Sequence, residues 1–161
     1  MAQTESEVDI AYDWECWIGR ETAPGEDDHV FTQIFGFESL PFPEQVPEDV
    51  DVTHMQSKGR TRETMPGFLP VADWSQEKQY WPADPGDVLL ESLAELTAAG
   101  TRELVLIEFN TDPTGAGGAR RTYEGYVNSF TPSGTVGDKQ MATVNIKIMA
   151  RQETNARVIP E

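Results

Sequence analysis

Cysteine is all but missing from this sequence. Cys16 stands alone, which excludes an intrachain disulfide and a cysteine-built zinc cage. Base is scarce as well: 12 Lys+Arg face 28 Asp+Glu, a formal charge of -16 at pH 7. That balance excludes the broad basic patch on which sequence-independent binding to DNA or to an anionic membrane face depends. Histidine is limited to His29 and His54, and neither lies in an HExxH or GxSxG context. No apolar run approaches the ~20 residues of a membrane helix. The opening MAQTESEVDI has no basic or apolar leader region, so no secretory signal is expected. What is present is 161 residues, 38% hydrophobic, with a mean hydropathy of -0.49. That is enough for one domain with its own core.

The acid is concentrated. Residues 1–57 hold 14 Asp+Glu and one base, Arg20, a balance of -13, whereas residues 58–161 hold 14 acids and 11 bases, a balance of -3. We therefore read a single domain, 1–161, with an acidic N-terminal region 1–37, a long Pro-rich loop 38–59 and a short C-terminal tail 151–161. A charge run is ordinarily a solvated face, but it also keeps a chain apart from its copies before assembly.

Period-2 alternation dominates and predicts a mainly β fold. Tyr12, Trp14, Cys16 and Ile18 share one face of a strand, and Val30–Phe37 reads as a second, with Phe31, Phe35 and Phe37. Pro41, Pro43 and Pro47 exclude a central strand between them and residue 50, because proline removes ladder donors. Short strands are expected at 51–55, 60–65 and 76–81, stronger ones at 103–109, 121–130 and 141–149. One helix is expected at about residues 85–99. Asp84 suits its N-cap, Pro85 its first turn and Asp87 its positive end. Leu89, Leu93 and Leu96 give it an apolar stripe and Gly100 a stop. The expected architecture is a β-sandwich or barrel with one flanking α-helix.

Chemistry-bearing patterns are weak. TGAGGA (114–119) lacks the GK[ST] of a phosphate loop and reads as a hairpin tip. Glu26-Asp27-Asp28-His29 lacks the spacing of a calcium loop and reads as solvated. Cys16 alternates with aromatics and reads as a small buried hydrophobe. Trp14, Trp17, Trp74 and Trp81 could stack on sugar rings, and a carbohydrate-binding β-sandwich is the rival from another class; packing is the default for tryptophan. The chain is read as a non-enzyme with no catalytic residue, cofactor or metal.

The run DVTHMQSKGRTRETMPGFLPVADWS, from Asp51, resembles the signature of the siphophage (lambda-like) major tail tube protein family. It carries Asp51-Val52-Thr53, Ser57 and Gly59, Arg62-Glu63 and Pro66-Gly67. In order after it come Trp81-Pro82 with Asp84, Tyr123 with Gly125-Tyr126-Val127, Pro132-Ser133-Gly134 with Gly137-Asp138, and Val144 to Ile148. Phe68-Leu69-Pro70 lengthens the segment before Asp73, and the first 49 residues depart from the pattern.

The resemblance implies a tail-tube β-sandwich and a structural virion protein, made in the bacterial host cytoplasm and ending in the tail. Six copies would form a ring. Stacked rings would form a non-contractile tube that conducts DNA without binding it specifically. Implied partners are further copies, a tape measure protein and a tail terminator or tip protein, with no membrane. Contractile-tail tubes, gene transfer agent tails and type VI secretion rings are the near alternatives. Acids on strand faces, Glu63, Glu77, Glu108 and Glu124, are candidates for the lumen wall. Within the proline-interrupted segment 37–59, Leu40, Phe42, Val46, Val50 and Val52 are candidates for inter-subunit or inter-ring contacts, since a segment this apolar is poorly solvated as a free loop.

Overall fold

The structure is a computed structural model and describes residues 13–23, 28–111 and 120–152. Eight strands occur in chain order: β1 Glu15–Glu21, β2 His29–Ile34, β3 Asp49–Asp51, β4 Thr64–Pro66, β5 Ala72–Gln79, β6 Val105–Asn110, β7 Arg120–Ser133 and β8 Met141–Gln152. The helix α1 spans Pro85–Ala98, between β5 and β6. The mainly β fold with one helix, expected from periodicity, is what the described residues form. Tyr12, Glu26, Asp27 and the TGAGGA loop lie outside them.

Six strands form one antiparallel sheet in the order β2-β1-β6-β7-β8-β5. The sheet curls until its ends meet. Phe37, just past β2, bridges Lys78 of β5, and the Gln79 N–H donates to the Gly36 carbonyl at 2.9 Å. The two ends are thereby joined at one corner of the sheet. The alternation of β8 sets its inner face: Ala142, Val144, Ile146 and Ile148 are buried, and Thr143, Asn145 and Lys147 face outward. Gly125 sits at a register shift where β7 and β8 crowd, and a Cβ there would lie 2.1 Å from the Lys147 carbonyl oxygen. Glycine is required at that position.

The helix begins and ends as its caps dictate. Asp84 accepts from the Gly86 N–H at 3.1 Å. Gly100, at φ +88, closes a Schellman turn in which Thr101 donates to Leu96 and Gly100 to Thr97. Leu90 and Leu93 are the fully buried leucines, with Leu89 and Leu96 at the margin, so the stripe is centred about one residue away from the expected one. The Thr97 hydroxyl donates to the Val127 carbonyl at 2.6 Å, fixing the C-terminal end on β7.

Asp87 lies in the first turn of α1 as expected, and it has a second role. It is buried, and it receives the Lys78 ammonium at 2.5 Å and the Trp81 N–H at 2.7 Å. Lys78 is itself fully buried and also donates to the Gln79 carbonyl. Its pairing with Asp87 ties the closing strand to the helix at the barrel seam.

The segment after β2 also corrects an expectation. Leu40 lies in the core, and Phe42 packs on Phe109 at a centroid distance of 5.8 Å. The Pro41 carbonyl accepts from the Trp74 indole at 2.8 Å, and Gln45 donates to the Pro70 and Met149 carbonyls. Residues 37–45 thus run beside β5 and cover its edge. Leu40, buried, and Phe42, half-buried against the core, are therefore intrachain contacts; full burial of a side chain such as Leu40 is worth on the order of 2 kcal/mol.

Asp87→Asn should leave the Lys78 ammonium buried without its counter-charge and cost about 3–5 kcal/mol in urea unfolding. Adding Lys78→Met should restore most of that loss. A double variant less stable than the single one would show that the pair is not the seam's constraint.

Candidate assembly surfaces

Between residues 46 and 71 the chain leaves the barrel as an arm. β3 and β4 pair only with each other, through Asp49↔Pro66, Val50↔Met65 and Asp51↔Thr64. An isolated two-stranded hairpin is marginal in water, so its tip needs polar fasteners. Arg62 reaches Asp51 at 2.7 Å, and Asp51 also accepts from the Thr53 N–H at 2.9 Å. Thr53 holds Asp51's carboxyl below the usual range. Glu63 accepts from the Ser57 hydroxyl at 2.9 Å and faces His54 at 3.6 Å. Gly59 and Arg60 take positive φ, which turns the tip through a single 3-10 turn.

The arm exposes apolar side chains that a solitary protein would cover. Met55 is 94% and Phe68 89% exposed, and Val46, Val50, Val52, Met65, Leu69 and Val71 are exposed beside them. Exposed apolar area of this extent is a candidate interaction surface. Val46, Val50 and Val52 are part of it, whereas Leu40 and Phe42 pack on the barrel. Sequence reasoning missed Met55, Phe68 and the basic tip. The signal was available in the charge count: Lys58, Arg60 and Arg62 place three of the 12 bases within five residues.

The predicted wall acids separate into distinct environments. Glu77 is exposed on the outer face of β5, opposite Thr143, and Glu124 is half-buried on the outer face of β7. Around them stand Ser75, Asn145, Ser129, Thr131 and the Asp73–Lys147 ion pair, a hydrophilic face. Glu108 corrects the expectation: it is buried, with Arg120 at 3.4 Å, and offers no charge to solvent. Glu63 also departs from it, lying in the arm rather than on a barrel strand.

The tryptophans divide similarly. Trp74 is core, Trp17 is half-buried with its indole on Glu15, and Trp81 stacks on Phe35 at 6.2 Å and 19°. Trp14 is exposed above a groove whose lining includes Phe37, Leu40 and Pro41. Burial, and secondarily Glu108, pushes the Cys16 thiol well above its ordinary pKa, so it is a poor nucleophile. Among the described residues no group of three or more His, Cys, Asp or Glu could hold a metal ion.

No family model and no curated protein matches the chain. Solved structures do share its fold. A chain of the anti-feeding prophage baseplate, six-fold symmetrised, superposes with a TM-score of 0.68 at 6% identity, over 92% of this chain and 96% of that one. A chain from the tail of an empty GTA particle, refined with C6 symmetry, gives 0.58 at 18% identity, over 86% and 95%. The SPP1 tail tube gives 0.55 at 11% identity, over 86% and 74%.

One polar tie across the seam titrates. Lys139's hydrogen bond, with a smaller one from Gln79, holds the Glu38 carboxyl below its ordinary range, and Glu38 in turn raises Lys139. A depressed carboxylate contributes stability that is present above its unfolded pKa and lost as pH falls through the folded one. In a carboxyl NMR titration Glu38 should titrate below the ~4.3 of a free glutamate. Lys139→Met should move it back up, and an unchanged midpoint would show that the contact does not persist in solution.

Proposed function

We propose that this chain is a tube-forming structural protein of a phage-like tail. Six copies make a ring, and rings stack into a non-contractile hollow tube through which DNA leaves the capsid. The observation that carries this reading is the arm. It is a polar-fastened hairpin with exposed Met55, Phe68 and Leu69, projecting from a barrel whose two sheet ends meet at the seam. The fold it shares with chains of six-fold assemblies supports the same reading.

The arm carries the contact between copies, within a ring or to the next, through Val46, Val50 and Val52. The tape measure protein and the tail terminator or tip protein meet the tube inside and at its ends, and the protein's place is the virion tail. It is not an enzyme and uses no cofactor. Six copies at -16 each give a ring of -96 formal charges. Such a wall avoids the counterion-release affinity that basic contacts with phosphates confer, so DNA slides past it. Glu77 and Glu124 are the remaining wall candidates.

Joining Val52 to Glu63 through Asn-Gly in place of residues 53–62 uses a turn that fits the backbone hydrogen bond between them. The variant should fold, by circular dichroism and thermal melting, yet form no stacked tubes in electron micrographs. Normal tubes from it would overturn the arm's role. Glu77→Lys and Glu124→Lys should leave tubes intact and slow DNA passage at low salt more than at high salt. Release at wild-type speed at every salt concentration would remove both residues from the wall.

A further inference from the structure

The groove beneath Trp14 is the feature that the barrel itself does not explain. It opens at the seam, encloses about 610 Å³, and is lined by Asp13, Trp14, Phe37, Glu38, Leu40 and Pro41. A volume of this size takes a small ligand or a few side chains. Its floor is apolar and aromatic: Phe37 stands edge-on to Trp74 at 5.7 Å, and Trp14 tilts against Phe42 at 6.0 Å. Its rim is acidic, with Asp13 and Glu38, the latter paired to Lys139.

The arm tip has the opposite chemistry. Met55 touches almost nothing in its own chain, and Lys58 and Arg60 are exposed next to it. From Thr53 to Arg62 there are three bases and no acid, whereas residues 13–41, which supply the groove, hold seven acids and one base. A thioether is favoured against aromatic rings, and cations are favoured over an indole face and beside carboxylates. Residues 1–12 are a poorer match for the groove, because they bring three acids and no base.

We propose that the arm tip of one copy docks in the Trp14 groove of a second copy, with Met55 on the aromatic floor and Lys58 and Arg60 at the rim. The docking rests on the tube reading above and names the surface that receives the arm. The tip's fasteners preset its shape, so little ordering entropy is lost on seating.

The test crosslinks copies that each carry one new thiol, since Cys16 is buried and its thiol is shifted up. Met55→Cys chains are mixed with Ser39→Cys chains, Ser39 being an exposed groove residue, then assembled and oxidised. The mixed disulfide should be the main covalent product, at least ten-fold above the same mixture held unassembled. Lys58→Glu/Arg60→Glu should slow assembly at least ten-fold with melting unchanged. Tubes without the mixed disulfide, tubes with like-with-like disulfides only, or a charge-reversed arm that assembles normally would each overturn the docking and leave the tube reading standing. A Ser39→Cys thiol closed to maleimide in the free chain would place the chain's own residues in the groove, and would overturn it as well. Failure of the unaltered chain to form any ring or tube would overturn the tube reading, and the docking with it.

Discussion

The barrel depends on its seam. A sheet of six strands has two ends, and here they meet through one backbone bridge, Phe37 to Lys78, with a further hydrogen bond at Gln79. So few backbone bonds would hold the closure weakly. The buried Lys78–Asp87 pair supplies the rest by fastening β5 to the first turn of α1. The helix in turn abuts β2, since a Cβ on Gly86 would lie 2.7 Å from the Gln33 carbonyl oxygen. Closing strand, helix and β2 are therefore fixed by one another. A buried ion pair is seldom the most stabilising choice for a core, because desolvating both charges is costly. Its value at this position is directional: an apolar pair would fill the volume without specifying which loop meets which strand.

Local rules made the strands and the helix readable. Alternation alone placed Val144, Ile146 and Ile148 inward, and Asp84, Pro85 and Gly100 bounded α1 to within a residue. The seam was beyond those rules. Lys78 falls on the inward face of β5 with Trp74, and what makes a charge tolerable there is Asp87 of the helix that arrives later in the chain. Glu108 misled for the same reason, since its strand position is polar by alternation while Arg120, on the neighbouring strand, draws it under cover. Leu40 and Phe42 were read as contacts between copies because so apolar a segment is poorly solvated as a free loop. The prolines do exclude a ladder there, and the segment instead covers β5 of its own chain with side chains and carbonyls.

Exposed apolar area was the least readable property. Val46, Val50 and Val52 were singled out by composition, yet nothing in composition separates them from Leu40, six residues before Val46. The separation comes from distance along the chain beyond the last anchor, Gln45, which is tied to the Pro70 and Met149 carbonyls. Past that anchor the chain has only itself to pair with until Val71. The arm is a consequence of where the barrel's last polar contact falls.

That position also organises the charge. The barrel's outer strands carry acids beside hydroxyls and amides, a surface that repels its copies at long range. The arm tip places Lys58 and Arg60 beyond the arm's paired base, where a repelled neighbour would be met first, while Arg62 folds back on Asp51. Attraction at short range on a background of repulsion favours contacts through the tip over contacts between barrel faces. Screening acts on both, but a seated Met55 on an aromatic floor is indifferent to salt, so the apolar part of the contact persists where the ionic part fades. On the docking proposed above, an acidic chain whose arm ends in a basic, apolar tip disfavours orientations of its copies other than the one that seats the tip.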